Sequence, residues 1–212
     1  MNDGKWAYEI SDLGLSIDDL ERLRTTSDVQ SMVFMAELLP IFWSNLRKQR
    51  PGTYSVLDVG PGSGAGTELL ARIHSSSFFG YPLRVDTIDL EDHLLPYLRR
   101  FSPSVKNVMH GDIFEESLEY DYCMCSHVVE HVTDPEAFVA RLAQLCRHAA
   151  FITAPFAEPS WLQTPGHINV FDLDRLKAWG PTHIEIRDSF GWGNQDDSLK
   201  VFVVEIPGQL AH

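Results

Sequence analysis

A glycine-rich turn between a strand and a helix constrains this chain more than any other feature. YSVLDVG (54–60) is a short apolar, β-branched run, and GPGSGAGTELLARIHS (60–75) is a turn that leads into a helix. After the strand ends at Gly60, glycine alternates at Gly62, Gly64 and Gly66. A turn this tight needs positive φ and no Cβ, so that a ligand can approach the backbone. The stretch therefore predicts a ligand-binding loop at the end of a buried strand.

Further apolar runs alternate with helical patterns along the chain. We expect strands at LRVDTIDL (83–90), VKNVMHGD (105–112), YDYCMCSHV (120–128) and AAFITAPF (149–156). Strands of this kind that alternate with helices indicate a parallel sheet covered on both faces. The last two runs, THIEIRDSF and SLKVFVVEIP, are joined by a turn and are therefore expected to pair antiparallel. The fold class is α/β, a doubly wound and mostly parallel sheet.

The first part of the chain has a helical pattern, and we expect an N-terminal helical cap (1–52) in front of the sheet domain (53–212). Ser16 and Asp19 resemble a capping box at the start of a helix. Apolar side chains then recur at three- and four-residue spacings up to Leu46, as on one face of a helix. Because Pro40 lies within this pattern, we expect it to kink or split the helix.

Charge, cysteine content and hydropathy exclude several classes of protein. The chain has 17 basic and 30 acidic residues and a net charge of −13, which disfavours nucleic acid as a partner. It has no signal-peptide pattern and no run of about 18 apolar residues, so we expect no membrane association. Three cysteines do not make a disulfide framework and favour a reducing cytoplasm.

Two nucleotide-binding families use a glycine-rich turn of this kind. The dinucleotide fingerprint is G-x-G-x-x-G, whereas Gly60, Gly62 and Gly64 form G-x-G-x-G. Ala65 stands where the fingerprint has its third glycine, and alanine is sometimes allowed there. A nicotinamide-dependent oxidoreductase therefore stays open on spacing alone. A P-loop is excluded because no Gly-Lys-Ser/Thr follows.

The strand ends taken together resemble those of class I S-adenosylmethionine-dependent methyltransferases. VLDVGPGSGAGTELLA (56–71) is similar to the family's first motif, and the resemblance extends over residues 54–206. It implies a Rossmann-like fold with an inserted antiparallel last strand, and S-adenosyl-L-methionine as the cofactor. The cofactor-binding residues that it implies are Asp58, Gly60, Pro61, Gly62, Gly64, Asp89, Leu90, Gly111, Asp112, Ile113 and Ser126.

Three of these residues have individual roles under the resemblance. Asp89, at the second strand end, would bind the ribose hydroxyls, with Glu91 as a less favoured substitute. Asp112 would face the adenine amino group, and Ile113 would pack on the adenine ring. Within the family, EHVTDP (130–135) is similar to the subgroup of ubiquinone-biosynthesis O-methyltransferases. The subgroup's Lys-Pro-Gly-Gly before the fifth strand is absent.

SHVVEH (126–131) supplies the candidate catalytic residues His127, Glu130 and His131. In a helix, H-x-x-E-H can bind zinc for peptide hydrolysis, but here the pattern follows a strand. The resemblance implies that the corresponding positions of ubiquinone-type relatives hold a divalent ion. Two histidines and a carboxylate also suit a divalent transition metal. A metal-free general base, or a structural role with Glu130 capping the next helix, are the alternatives.

His167, in PGHINVF (165–171), is a further catalytic candidate, with Asn169 as a hydrogen-bonding neighbour. Aromatic candidates for the acceptor pocket and its lid are Phe156, Trp161, Trp192, Trp6 and Tyr8. The function we predict is methyl transfer from S-adenosyl-L-methionine to a small-molecule acceptor, with oxygen favoured. The rival functions are a nicotinamide-dependent oxidoreductase and a cofactor-binding module without chemistry. The sequence sets no oligomeric state.

Overall fold

The structure, a computed structural model, describes residues 13–75, 80–115, 117, 119–161, 163–194 and 197–210. The helices are α1 (Ile17–Arg22), a π-helical turn (Leu23–Ser27), α2 (Asp28–Leu46), α3 (Ala65–Ile73), α4 (Leu95–Phe101), α5 (Pro135–Leu145) and α6 (Leu173–Ala178). The strands are β1 (Tyr54–Val59), β2 (Leu83–Asp89), β3 (Val108–His110), β4 (Tyr120–Ser126), β5 (Cys146–Pro155), β6 (His183–Asn194) and β7 (Asp197–Pro207). None of the described helices is long and apolar enough to cross a membrane.

The strands form one seven-stranded sheet in the order β3-β2-β1-β4-β5-β7-β6. Strands β1 to β5 are parallel, whereas β7 lies between β5 and β6 and is antiparallel to both. The predicted fold class, mostly parallel with an antiparallel last strand, is confirmed. The strand order reverses between β1 and β4, and the crevice at such a point is where open α/β sheets bind ligands.

Both faces of the sheet are buried, because successive side chains of a strand point to opposite sides. In β4, Cys123 and Cys125 belong to the core that α5 covers, while Tyr122 and Met124 belong to the core that α2 and α3 cover. All three cysteines are free and buried, as the sequence predicted. The near-continuous apolar runs of the sequence therefore correspond to strands packed on both sides.

Of the N-terminal helices, α2 packs on the core of the sheet, whereas Leu20 of α1 and Leu23 of the π-helical turn form a separate cluster with Tyr97 of α4. The capping box of Ser16 and Asp19 is present at the start of α1. Helix α2 continues without a break through Pro40, so of the two expected effects, a kink or a split, the split does not occur. A proline inside a helix costs about 3 kcal/mol, but Leu38 and Phe42 are fully buried on either side of it. Burial of each contributes about 1.5–3 kcal/mol, which offsets that cost. The division at residue 52 stays a prediction.

Gly66 sets how closely α2 approaches the glycine-rich turn. A Cβ at Gly66 would lie 2.4 Å from the carbonyl oxygen of Ser31 in α2. The Gly66 N–H donates to Ser31 Oγ at 3.0 Å. A larger residue at position 66 would push the two helices apart. The first half of α2 is therefore held beside the turn, next to the carboxyl ends of the parallel strands.

Candidate active site

A cleft lies at the carboxyl ends of β1, β2 and β4 and consists of two adjoining cavities. The larger has a volume of about 680 Å³ and the smaller about 240 Å³, and both are lined by Gly60, Gly62 and His127. The predicted cofactor-binding residues that line one or the other are Asp58, Gly60, Pro61, Gly62, Asp89, Leu90, Gly111, Asp112, Ile113 and Ser126. The remaining one, Gly64, is the N-cap of α3 with a φ of 81°. The sheet topology thus collects residues from separate strand ends around one cleft.

The glycine-rich turn has the conformation that the sequence predicted. Gly60 and Gly62 have positive φ, 68° and 56°. A Cβ added at Gly62 would meet no other atom within 4 Å, so this part of the backbone borders open space. A ligand in the cleft can therefore approach the main chain of the turn directly.

Asp58 is a buried carboxyl near the end of β1, and it accepts a short hydrogen bond from the Thr67 hydroxyl of α3. Burial raises the pKa of Asp58 to about 6, the Thr67 hydrogen bond opposes this rise, and the charge of Asp89 adds to it. A cation nearby would favour the ionised form. Since Asp58 also lines the smaller cavity, it offers a carboxylate to a positively charged part of a ligand.

Two further acids line the larger cavity from neighbouring strand ends. Asp89 ends β2, and its Oδ1 accepts the Glu91 N–H at 3.0 Å. Burial raises the pKa of the Asp89 carboxyl. Asp112 follows β3, and its Oδ1 accepts the Phe114 N–H at 2.9 Å. Each carboxylate keeps one oxygen outside these local hydrogen bonds, and Ile113 adds a buried apolar surface between them and α5.

His127 follows directly after β4, and its side chain packs against α2. Its φ of 55° is uncommon for a residue other than glycine. The ring stacks on Phe34 with centroids 3.6 Å apart. It also lies between two carboxylates. Nδ1 is 3.4 Å from Glu130 Oε1, and Nε2 is 3.9 Å from Glu37 Oε2. Burial lowers the pKa of His127, but the interactions with Glu130 and Glu37 outweigh it and hold the pKa above its ordinary value.

Glu130 is buried, with 1% of its surface exposed. Among the residues that the structure describes, none donates a hydrogen bond to either of its carboxylate oxygens. Its backbone carbonyl accepts the N–H groups of Ile168 and Asn169 at 3.0 and 3.1 Å. Helix α5 is capped by Asp134, which accepts the Ala137 N–H. The alternative in which Glu130 caps that helix is therefore wrong.

His131 and His167 face each other edge to face, with ring centroids 4.8 Å apart. His131 is exposed and lines the larger cavity, and its Nδ1 lies 2.9 Å from the Gly166 carbonyl oxygen. Because a carbonyl oxygen only accepts, Nδ1 of His131 is the donor in this contact. His167 is buried, and its Nδ1 lies 2.7 Å from Oε2 of the buried Glu158.

Glu130, His131 and His167 are a group of described residues able to hold a metal ion, since one ligand atom of each lies within 4.8 Å of the other two. This group differs from the predicted one, because His167 takes the place of His127. The difference arises from His127 being stacked on Phe34 and directed toward Glu37 as well as Glu130. Residues 127–131 form a turn and not a helix, which excludes the helical zinc-peptidase motif.

Two carboxylates of the site, Glu37 and Glu158, were missed by the sequence analysis. Glu37 is an acid in the apolar stretch FMAELLPIF (34–42) and is 2% exposed. A charged residue at an inward position of a helix is unusual, and that was the available signal. Glu158 lies in a loop, where no periodicity reports the direction of a side chain, so the sequence held no comparable signal for it.

The aromatic residues around the cleft also differ from the candidates. Phe156 packs against the core beside Phe171, and Trp161 is 69% exposed; neither lines the cleft. Trp6, Tyr8 and the side chain of Trp192 lie outside the described residues. The aromatic residues that line the two cavities are Phe34, Phe114 and Phe138.

Comparison with known proteins assigns a family to this arrangement. A family model described as "Methyltransferase domain" matches residues 19–181. The match includes α2, the glycine-rich turn, the strand ends around the cleft and the group formed by Glu130, His131 and His167. No curated protein matches the chain.

Several solved structures share the fold at low sequence identity. Magnesium protoporphyrin IX methyltransferase from Synechocystis PCC 6803, with bound S-adenosylhomocysteine, is 14% identical with a TM-score of 0.61, over 92% of this chain and 88% of that one. A SAM-dependent methyltransferase from Aquifex aeolicus is 16% identical with a TM-score of 0.60, over 91% and 99%. Coclaurine N-methyltransferase, bound to N-methylheliamine and S-adenosylhomocysteine, is 14% identical with a TM-score of 0.59, over 81% and 71%.

Proposed function

The chain belongs to the methyltransferase domain family, and we propose that it transfers a methyl group from S-adenosyl-L-methionine to a small-molecule acceptor, with oxygen as the favoured acceptor atom. One observation carries the proposal. The glycine-rich turn, Asp89 and Asp112 line the same cleft as His131, so a cofactor site and a group able to activate an acceptor open onto one space.

The residues that line the cleft suit the cofactor in their chemistry. The open space at Gly62 admits a ligand against the main chain. Asp89 suits the two ribose hydroxyls, since a carboxylate accepts two hydrogen bonds side by side. Asp112 suits the adenine amino group, and Ile113 offers an apolar surface to the ring. In the smaller cavity, the Asp58 carboxylate suits the cationic methionine end.

The acceptor end of the cleft is supplied by His131 and the residues behind it. Bound S-adenosyl-L-methionine supplies an electrophilic methyl group on a sulfonium. The acceptor must be held in line with that methyl group, and a hydroxyl acceptor must also lose its proton. We assign His131, the exposed member of the group, to the acceptor oxygen. Glu130 and His167 support it from behind, and His127 holds the end of β4 against α2.

Three features support a small molecule acceptor with a hydroxyl group. The net charge of −13 disfavours a nucleic acid. The cleft volume suits a cofactor together with a ligand of modest size. The imidazole and carboxylate groups gathered at His131 suit a hydroxyl acceptor, which has to lose its proton for the transfer. The cytoplasmic location stays a prediction from the cysteine content.

Calorimetric titration tests the cofactor, and matched acceptors test the acceptor atom. We expect S-adenosylhomocysteine to bind and NADH to give no heat; binding of NADH alone would overturn the proposal. Methyl transfer is then measured on pairs of small aromatic compounds that differ only in carrying a hydroxyl or an amino group. Transfer to the amine of a pair and not to its hydroxyl partner would contradict the assignment of oxygen.

A further inference from the structure

We infer that Glu130, His131 and His167 bind a divalent transition metal of the zinc class at the edge of the cleft. The ligand atoms are gathered within 4.8 Å of one another from two separate segments of the chain, the turn after β4 and the loop after β5. Binding of the metal is independent of the proposed function. Only its role, activation of the acceptor oxygen, rests on that function.

Both imidazoles have the outer hydrogen-bond partner that is typical of a histidine bound to a metal. A histidine ligand normally donates its other ring N–H to a carbonyl or carboxylate, which fixes the ring and its protonation. His131 has such a partner in the Gly166 carbonyl, 2.9 Å from Nδ1, and His167 has one in Glu158, 2.7 Å from Nδ1. The Nε2 atom of His167 is the one that faces Glu130, at 4.0 Å from Oε1. Glu158 therefore acts as a positioning residue for His167.

The burial of Glu130 points to a cation in the same place. Removing an ionised carboxylate from water costs several kcal/mol unless other groups compensate it. No described residue donates a hydrogen bond to its two oxygens, and the nearest basic atom is Nδ1 of His127 at 3.4 Å. A divalent ion bound by Glu130 would add to the partial compensation that the neighbouring His127 imidazole provides.

The loop that carries His167 is fixed to the segment that carries Glu130. The Glu130 carbonyl accepts the backbone N–H groups of Ile168 and Asn169. The side-chain Nδ2 of Asn169 also donates to the Val132 carbonyl at 2.7 Å. The Thr164 N–H donates to Glu158 Oε1 at 3.1 Å. These contacts of the main chain with itself and with two side chains hold the segments that carry the three ligands next to each other.

The ligand set favours a transition metal over Mg²⁺. Imidazole suits Zn²⁺, Co²⁺ and Fe²⁺, whereas Mg²⁺ prefers oxygen ligands and retains water. Three protein ligands leave positions open, and His131 lies at the cavity wall. A hydroxyl of the acceptor bound at an open position would have its pKa lowered and would release its proton to water. The resulting oxyanion would attack the methyl carbon of S-adenosyl-L-methionine, and the bonding pair of the broken carbon–sulfur bond would stay on the sulfur of S-adenosylhomocysteine, the leaving group.

Cobalt is the probe for this site, because Co²⁺ in a nitrogen and oxygen ligand set absorbs visible light and Zn²⁺ displaces it. We expect the full chain, stripped of metal, to bind one Co²⁺ with a visible spectrum, and millimolar Mg²⁺ to leave that spectrum unchanged. Glu158→Gln should weaken binding about 10–100-fold, as for other outer partners of metal ligands. His131→Ala should weaken it more than that, because a direct ligand is lost.

The controls separate loss of the site from loss of the fold. His131 is exposed, so its replacement does not disturb the core, and S-adenosylhomocysteine affinity should stay within twofold in His131→Ala. His183→Ala removes an exposed histidine on β6 and should leave the cobalt spectrum unchanged. The inference is overturned if the protein binds no Co²⁺, or if His131→Ala and His167→Ala bind it as the parent does. Cobalt binding without S-adenosylhomocysteine binding would instead overturn the proposed function and leave the metal site in place.

Discussion

The two halves of the cleft are built in different ways. The proposed cofactor half comprises the glycine-rich turn with Asp58, Asp89, Asp112 and Ile113. The proposed acceptor half comprises His127 and His131, which line the cleft, together with four buried residues behind them, Glu37, Glu130, Glu158 and His167. Every residue of the cofactor half lies at or near the carboxyl end of a parallel strand, so the sheet alone brings these residues together. The acceptor half is assembled from α2, the turn after β4 and the loop after β5, and depends on how these pack.

The halves also differ in how their charges are compensated. In the cofactor half, Asp89 and Asp112 accept backbone N–H groups and line an open cavity. In the acceptor half, three carboxylates are buried and lie beside imidazoles. Substitutions in the first half should therefore change cofactor binding, and substitutions in the second should change turnover. The experiments below test that division, in order of decreasing effect.

The largest effect is expected for His131→Ala. We assign His131 to the acceptor oxygen, and a positioned acid–base group contributes about 10²–10⁴-fold to rate. We expect kcat to fall by about 100-fold or more, while the Kd of S-adenosylhomocysteine changes by less than about twofold. Single-turnover methyl transfer and calorimetry measure the two quantities. A variant that loses cofactor binding in proportion to turnover would show that the two halves are not separable.

Asp89→Ala should have the converse effect. Loss of charge-assisted hydrogen bonds costs about 1.5–3 kcal/mol, which corresponds to roughly a 10–100-fold rise in the Kd of S-adenosylhomocysteine. Turnover should return to near the parent value at saturating S-adenosyl-L-methionine. Glu91→Gln is the matched control two residues away and should change the Kd by less than about twofold. If Glu91→Gln has the larger effect, the ribose site belongs to Glu91.

The same division explains what the sequence could predict. The residues of the cofactor half can be predicted from short sequence patterns. A glycine or aspartate at the carboxyl end of a parallel strand lies at the cleft because of the sheet topology. The acceptor half depends on tertiary packing. The group able to hold a metal contains His167 and not the predicted His127. The reason is that His127 stacks on Phe34 of α2, about 90 positions earlier in the chain. No local pattern reports such a contact, and none reports that Glu158 lies against His167.

The ionisation of Asp58 should have a smaller effect, a dependence of cofactor affinity and stability on pH. Its pKa of about 6 in the fold lies above the ordinary value of 3.8 because the carboxyl is buried. The stability that this group contributes is therefore present below about pH 4 and lost as the pH rises through about 6. Since a cationic ligand favours the ionised form, we expect S-adenosylhomocysteine affinity to fall by up to about tenfold from pH 7.5 to pH 5.

Asp58→Asn is the control for that titration. It should weaken binding at pH 7.5 and flatten the dependence between pH 5 and pH 7.5. Without ligand, the variant should unfold at a higher temperature than the parent at pH 7.5 and at a similar temperature at pH 4. A pH dependence that persists in Asp58→Asn would assign the titration to another group.

The smallest effect is expected for Trp161→Ala, which tests where the acceptor half ends. Trp161 is 69% exposed and lines neither cavity, although its place in the loop after β5 made it a candidate for the acceptor pocket. Truncation of an exposed side chain away from a site changes free energies by about 0.5 kcal/mol or less, so kcat/KM should stay within about twofold.

Phe34→Ala is the comparison, because Phe34 lines the smaller cavity and stacks on His127. We expect Phe34→Ala to lower kcat more than Trp161→Ala does. A larger loss in Trp161→Ala would mean that the acceptor contacts this exposed loop, and that the acceptor half extends beyond the cleft formed by the strand ends and α2.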